Sequence, residues 1–208
     1  RFVAALGTDL GKPATEALIT EIVSVRSEVD HALLHLTDWM EPRPVKLPLA
    51  LRPASAEVRP RPKGLVLVIG AWNYPVQLAL APVVGALAAG NTVVLSPSEK
   101  APATAAALRE LVPQYLDSAL VSVVAGGKEC NTALLAEPWD HILYTGGERV
   151  GRIVYEAAAK TLSPVTLELG GKSPAVVTPS RNTGAMARRI AWAKFTNAGQ
   201  TCVAPDYM

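Results

Sequence analysis

The stretch Gly64-Leu-Val-Leu-Val-Ile-Gly70 decides the fold of this chain. Five apolar residues stand in a row, three of them β-branched, and a glycine bounds the run at each end. Such an uninterrupted run is typical of a strand that is buried on both faces, as strands in parallel sheets are. The stretch therefore predicts a central strand of an α/β domain.

Segments of the same kind recur along the chain and alternate with helical segments. Strands are predicted at 92–95, 120–124, 141–144 and 164–169, and helices at 76–89, 101–111, 131–135 and 150–160. Alternation of strands and helices of these lengths predicts a doubly wound, Rossmann-like parallel sheet over residues 63–169.

Two further segments flank this sheet. Apolar residues at helical spacing from Thr15 to Trp39 predict one or two helices, and the proline- and arginine-rich residues 41–62 predict an extended connector with an edge strand. We therefore treat residues 1–62 as one unit. After the Gly170-Gly171 break, a strand at 174–177 and a helix at 183–194 predict the start of a second α/β domain over 170–208.

Composition and charge exclude several classes of protein. The 208 residues are 50% hydrophobic and 18% charged, which is typical of a globular chain with a sizeable core. A net charge of +2 without a long basic run predicts no nucleic-acid partner. The uncharged run 64–98 is interrupted by prolines, glycines and asparagines, so it predicts a buried α/β core instead of a membrane span.

The cysteines and histidines limit the chemistry. Only two cysteines occur and no secretory signal is evident, which predicts an intracellular, cytoplasmic location with reduced thiols. His31 and His35 lie four residues apart on the predicted N-terminal helix, but no third ligand is evident. We therefore expect no metal site.

Two sequences carry candidate catalytic groups. The string Phe195-Thr-Asn-Ala-Gly-Gln-Thr-Cys202 places a thiol in a small, polar setting, where it is a candidate nucleophile. Glu168, in Leu167-Glu-Leu-Gly-Gly-Lys172, is a lone carboxylate between apolar residues. A carboxylate in apolar surroundings suits general-base work near neutral pH.

These strings, together with Trp72-Asn-Tyr-Pro75 upstream, resemble the aldehyde dehydrogenase superfamily, and in particular its class 3 or fatty-aldehyde branch. The likeness runs from about Asp9 to Met208, and several motifs in the family's order and spacing make coincidence very unlikely. It implies that residues 170–208 begin a catalytic domain.

The resemblance implies oxidation of an aldehyde to a carboxylic acid. In this reaction the Cys202 thiolate attacks the aldehyde, and the Asn73 amide with the Cys202 backbone N–H holds the oxyanion. Hydride transfer leaves a thioester, which water activated by Glu168 hydrolyses. Asn73 could in addition shape the turn before Pro75. Two alternatives stay open: a coenzyme-A-acylating aldehyde dehydrogenase, and a nucleotide-binding remnant without turnover.

The string Tyr144-Thr-Gly-Gly-Glu-Arg-Val-Gly151 follows a predicted strand and opens a helix. By itself it indicates a tight turn more often than a dinucleotide site, since the G-x-G-x-x-G fingerprint is absent. The resemblance implies a nicotinamide cofactor at this loop. Gly146 and Gly151 match the family's glycines, and Gly147 replaces its usual serine.

The resemblance also implies cofactor contacts from Trp72, Leu169 and the Ser96-Pro-Ser-Glu99 string. Glu99 matches the family's glutamate and favours NAD over NADP, with NADP possible. Ser96 replaces the family's lysine, so a lysine at this position is expected to strengthen cofactor binding by restoring a charged donor.

The expected partner is a small-molecule aldehyde, and the family likeness implies an oligomerisation arm within residues 41–62 and a homodimer of the full-length protein. Membrane association is not readable from this segment, so a membrane-anchored form through a tail after Met208 stays open. Residues 1–208 alone are expected to be inactive, because the predicted catalytic domain is only begun.

Overall fold

Two β-sheets and a set of flanking helices make up the protein in the computed structural model, which describes residues 1–178 and 182–208. The strands are β1 (Arg43–Val45), β2 (Ala56–Val58), β3 (Leu65–Ile69), β4 (Thr92–Ser96), β5 (Val121–Val123), β6 (His141–Gly146) and β7 (Val165–Leu169).

The helices follow in chain order. They are α1 (Phe2–Leu10), α2 (Ala14–Ala17), a π-helical segment (Leu18–Val23), α3 (Ser24–Met40), α4 (Gln77–Ala88), α5 (Pro102–Tyr115), α6 (Lys128–Leu134), α7 (Glu148–Thr161) and α8 (Thr183–Phe195). Short 3-10 turns occur at Leu49–Leu51 and Thr196–Gly199.

The main sheet has the strand order β5-β4-β3-β6-β7, and its neighbouring strands are parallel. The strand predicted from Gly64–Gly70 is therefore central. This order is that of one doubly wound, Rossmann-like unit. Because the chain moves outward from β3 first through β4 and then through β6, a crevice forms beyond the carboxyl ends of β3 and β6.

Residues of β3 divide between two hydrophobic clusters on opposite faces of the sheet. Val66 and Val68 pack with Leu108 of α5 in one cluster, whereas Leu67 and Ile69 enter the other. Full burial of such a side chain stabilises the fold by about 1.5–3 kcal/mol. The uninterrupted apolar run is thus explained by a strand with no solvent-facing side, and the predicted fold class is confirmed.

A third cluster fixes the N-terminal helices against the loop after β3. Leu6 of α1, Ala17 of α2 and Val76 before α4 form its buried centre. Asp9 adds a polar attachment, because its carboxylate accepts hydrogen bonds from the backbone N–H groups of Ala103 (3.0 Å) and Thr104 (2.7 Å) at the start of α5. An acidic group is favourable at a helix N-terminus.

The helices predicted from Thr15 to Trp39 are confirmed as one helical run from residue 14 to 40, which contains the π-helical segment. Two other local predictions need correction. The connector holds the two-stranded antiparallel β1–β2 sheet instead of a single edge strand. The strand predicted at 174–177 is wrong, since only Pro174 forms an isolated bridge, with Tyr207. Among the described residues no helix is both long and apolar enough to cross a membrane.

Candidate active site

The turn after β3 carries Trp72, Asn73 and Tyr74 into the crevice at the carboxyl edge of the sheet. The backbone N–H of Gly70 donates to the Ser96 carbonyl (2.9 Å), so the turn leaves the sheet directly beside β4. Trp72 and Asn73 are both partly buried there.

The loop that carries Cys202 contacts this turn, although the two are far apart in the sequence. The Asn73 side-chain amide donates to the Gln200 carbonyl (2.9 Å), and the Tyr74 hydroxyl and the Thr201 hydroxyl lie 2.6 Å apart. The Cys202 side chain is exposed, and its carbonyl accepts from Ser173 Oγ (3.3 Å). The structure therefore brings together the predicted nucleophile loop and the predicted oxyanion residue.

Asn197 joins the same two segments, and sequence reasoning did not place it in the site. It is only 5% exposed, and its Nδ2 donates to the carbonyls of Asn73 (2.8 Å) and Gln200 (3.3 Å). Its φ of 54° is left-handed, a conformation that asparagine tolerates better than most residues. The Asn197-Ala-Gly199 string is weakly indicative of a turn in the sequence. Nothing in the sequence predicts that the Asn197 side chain bonds Asn73.

Burial raises the pKa of the Tyr74 phenol, and the negative charges of Glu16 and Glu21 and of ionised Cys202 raise it further. The hydrogen bond with Thr201 lowers it in part. Tyr74 consequently stays a neutral hydrogen-bonding group through the neutral pH range and is available to hold Thr201, the residue before the thiol.

Glu168 lies on β7 opposite Thr145 of β6, close to the carboxyl edge of the sheet. Its side chain is exposed, so the expected apolar surroundings are wrong in this structure. Leu167 and Leu169 pack into the cluster on the other face of the sheet, because successive side chains of a strand alternate. The apolar neighbours in sequence are therefore not neighbours of the carboxylate in space.

The glycines of segment 144–151, where β6 passes into α7, have different roles. A Cβ on Gly151 would lie 2.9 Å from Leu169 Cδ2, and a Cβ on Gly146 would overlap the Tyr144 hydroxyl. At Gly146 the rigid Tyr144 ring leaves no room for a side chain, whereas at Gly151 the end of the Leu169 side chain, which packs under α7, would have to shift. A Cβ on Gly147 would meet nothing within 4 Å, so open space lies before the N-terminus of α7.

The space before α7 fits an anionic group. Gly147 is the N-cap of α7, a helix of 14 residues, and the first backbone N–H groups of such a helix attract anions. The residues present thus fit the phosphate part of a dinucleotide. In addition, the described residues hold no group of three or more His, Cys, Asp or Glu side chains suited to a metal ion.

Ser96 and Glu99 differ sharply in accessibility. Glu99 is exposed beside a cleft that Arg109 and Gly126 also line. Ser96 is 0% exposed, and its Oγ donates to Asn131 Oδ1 of α6 (2.8 Å). The Ser96 hydroxyl is therefore bonded within the protein in this structure, and its contact with a cofactor stays a prediction.

Comparison with known proteins places the chain in a family. The profile of the Aldehyde dehydrogenase family matches residues 1–208. The chain therefore belongs to the aldehyde dehydrogenase family, as the motifs predicted.

The similar proteins point to one branch of this family. The chain is 50% identical to aldehyde dehydrogenase family 3 member A2 of Rattus norvegicus over 207 residues, covering 100% of the chain and 43% of the relative. It is 52% identical to an aldehyde dehydrogenase of Craterostigma plantagineum, covering 99% of the chain and 43% of that protein. The chain thus spans less than half the length of these relatives.

Solved structures agree with the fold. The substrate-bound state of Staphylococcus aureus AldH matches with a TM-score of 0.94 and 44% identity, covering 99% of the chain and 45% of that structure. Mycobacterium tuberculosis aldehyde dehydrogenase complexed with NAD+ matches with a TM-score of 0.86 and 34% identity, covering 98% of the chain and 42% of that structure.

Proposed function

We propose that the whole protein containing residues 1–208 oxidises an aldehyde to a carboxylic acid, with Cys202 as nucleophile and NAD or NADP as hydride acceptor. The observation that carries the proposal is the docking of the Asn73 turn against the Cys202 loop through the bond from Asn73 Nδ2 to Gln200 O (2.9 Å). This contact holds an amide donor beside the thiol-bearing loop.

The first step is attack of the Cys202 thiolate on the aldehyde carbon. A side-chain amide has two N–H donors, and one of those on Asn73 bonds Gln200. In the proposal the second N–H and the Cys202 backbone N–H stabilise the oxyanion of the thiohemiacetal. Loss of one such donor costs roughly 100- to 1000-fold in rate.

Glu168 is the proposed base for the hydrolytic step. It lies one residue before the end of β7 and pairs with Thr145, two residues before Gly147 at the start of α7. This position supports a role at the carboxyl edge of the sheet, where Asn73 also lies. Activation of water there converts the Cys202 thioester into the acid product and the free thiol.

The nicotinamide cofactor accepts the hydride when it is bound. The open N-terminus of α7 at Gly147 would hold its phosphates, and the exposed carboxylate of Glu99 would bind a ribose hydroxyl and favour NAD. The M. tuberculosis relative of known structure is described as complexed with NAD+ and an E. coli relative as NADP dependent, so the choice of NAD rests on Glu99.

The test is production of NADH by the whole protein with NAD and a medium-chain aldehyde, with and without coenzyme A. Acid formation without coenzyme A supports the proposal, and dependence on coenzyme A supports the acylating alternative. Cofactor binding without reduction supports a nucleotide-binding remnant without turnover. The structure favours this candidate in one respect: the Ser96 hydroxyl already donates to Asn131, so position 96 offers the cofactor no donor. Cys130→Ala is the matched control for Cys202→Ala.

We propose in addition that β1 and β2 form an arm between two copies of the protein. Most residues of this antiparallel pair are exposed in the single chain. Sedimentation of the whole protein with and without residues 43–58 tests the proposal: a dimer that persists without them would contradict it.

A further inference from the structure

We infer that Lys12, Glu16 and Glu21 are positioning residues in the N-terminal segment. They hold two segments in register: the oxyanion turn, residues 72–74, and the nucleophile loop, residues 196–202. The inference rests on the proposed function and assigns to the N-terminal segment a part in the catalytic geometry. Sequence reasoning gave none of the three residues a role.

Lys12 and Glu21 form a buried ion pair. Lys12 Nζ lies 2.6 Å from Glu21 Oε1, and the two side chains are 1% and 0% exposed. Every other ion pair found in the described part of the chain has side chains at least 34% exposed. Desolvation makes a buried pair a poor source of stability compared with apolar side chains of similar volume, so its presence calls for another reason.

The remaining bonds of this pair go to the turn that carries Asn73. Glu21 Oε2 accepts from the backbone N–H groups of Val76 (3.0 Å) and Gln77 (2.8 Å), at the start of α4. Lys12 Nζ also donates to the Asn73 carbonyl (3.4 Å) and lies 4.3 Å from the centre of the Tyr74 ring. The pair thus fixes both ends of segment 73–77.

Glu16 holds the other partner of the site. Its Oε1 accepts from the backbone N–H of Asn197 (2.6 Å), and Asn197 in turn donates to the Asn73 carbonyl (2.8 Å). The Asn73 carbonyl therefore receives Lys12 from the helical side and Asn197 from the loop side. Residues 12–21 therefore bind both the oxyanion turn and the nucleophile loop.

The π-helical segment explains how both glutamates face the site. Residues five apart point about 140° away from each other in a regular α-helix, at 3.6 residues per turn. Glu16 and Glu21 are five apart, and the wider turn of Leu18–Val23 brings such residues closer to one face. Single π turns inside α-helices occur frequently at functional sites. The π-helical turn between the two residues is thus consistent with both contacts.

Positioning of this kind affects the rate because oxyanion donors must be held within a fraction of an ångström. The test variant is Lys12→Met/Glu21→Met in the whole protein, since apolar side chains of similar length retain packing while removing the bonds to residues 73–77. The matched control is Arg26→Ala/Asp30→Ala, an exposed pair on α3.

The expected result for the double methionine variant is a kcat lowered by about 10- to 100-fold, as for a small misplacement of catalytic groups. The affinity for NAD should stay near that of the control, and amide hydrogen exchange of residues 196–204 should become faster. The melting temperature should fall modestly, because the backbone N–H groups of Val76 and Gln77 lose their acceptor. A purely structural pair would change the melting temperature without this selective loss of kcat. If the double variant does not fold, Glu16→Ala replaces it, because this change removes only one partly exposed carboxylate. Its kcat, melting temperature and hydrogen exchange are then compared with those of the control.

Two results would overturn the inference: unchanged exchange at 196–204, or an unchanged kcat in a variant whose exchange has become faster. Absence of aldehyde oxidation by the unmodified protein would instead refute the proposed function. In that case the exchange measurement alone decides whether the N-terminal cluster holds the loop.

Discussion

Asn197 offers a direct test of how the nucleophile loop is held. Its side-chain amide bridges the Asn73 carbonyl (2.8 Å) and the Gln200 carbonyl (3.3 Å), and its backbone has a φ of 54° and a ψ of 38°. Asn197→Ala removes both bonds and puts a residue with a Cβ but no compensating local polar group into the left-handed region. Asn197→Gly removes the same bonds without the steric cost of the Cβ.

The magnitude follows from these two contributions. Two hydrogen bonds at about 0.5–1.5 kcal/mol each contribute about 1–3 kcal/mol, because the residue is buried and its partners are peptide carbonyls. The left-handed conformation costs alanine about 1–2 kcal/mol more than glycine. We therefore expect Asn197→Ala to lower the free energy of unfolding by about 2–5 kcal/mol, and Asn197→Gly by about 1–3 kcal/mol.

Urea unfolding followed by tryptophan fluorescence measures both values. The order wild type, Gly, Ala is the diagnostic result, since it separates the lost bonds from the backbone strain. If Asn197→Ala lies within about 0.5 kcal/mol of wild type, as ordinary surface substitutions do, the bridge does not stabilise the loop and the reasoning is refuted.

Four further predictions follow from the site and the sheet. Cys202→Ala should abolish aldehyde oxidation by the whole protein and leave NAD binding intact, as calorimetry can show; turnover equal to that of Cys130→Ala would exclude Cys202 as nucleophile. Glu168→Gln should give an NADH burst and then slow turnover, because an amide cannot accept a proton from water, and wild-type steady-state turnover would place the base elsewhere. Ser96→Lys should lower the free energy of unfolding by about 1–3 kcal/mol through overpacking and loss of the bond to Asn131, without tightening NAD binding; tighter binding at unchanged stability would show that the lysine reaches the surface. Burial and the nearby Lys63 lower the pKa of His141 in the folded protein below its ordinary value of 6.5. As the pH drops, the unfolded chain therefore binds a proton at His141 before the folded protein does, and the free energy of unfolding should fall below about pH 6.5. His141→Gln should flatten this dependence in urea titrations, and an unchanged pH profile would contradict the assignment.

The sheet was predictable because its signal is local. In β3 the four residues from Val66 to Ile69 alternate between two hydrophobic clusters, so an uninterrupted apolar run reports burial on both faces without knowledge of the partners. Family membership was also predictable, because the strings around Asn73, Glu168 and Cys202 occur in the family's order. The prediction of a strand at 174–177 was wrong because strand formation depends on a partner that is not local in the sequence. A strand needs a neighbour to pair with, and beyond the Pro174 bridge to Tyr207 none pairs with it among the described residues.

The environments of the site residues were decided by the tertiary structure. Glu168 has apolar neighbours in the sequence but is exposed, because strand alternation sends Leu167 and Leu169 to the opposite face. Ser96 lies in a string that was predicted to bind the cofactor, but it is buried and bonds Asn131 of α6. Periodicity and motifs describe the neighbours of a residue along the chain. Its burial depends instead on which helix or strand packs against it in the folded protein.

The sequence by itself determined the strand and helix pattern, the doubly wound class and the chemical types at the site, since these depend on side-chain identity and short spacings. Only the tertiary structure decided that Lys12, Glu16, Glu21 and Asn197 bond the turn at Asn73 and the loop before Cys202. Apart from the bond between Asn197 and Gln200, which are three positions apart, their contacts join residues that are 9 to 181 positions apart, and no local pattern encodes such distant partners. The physical reason is that a buried polar group is satisfied by whichever donor or acceptor the packed chain brings within about 3 Å of it.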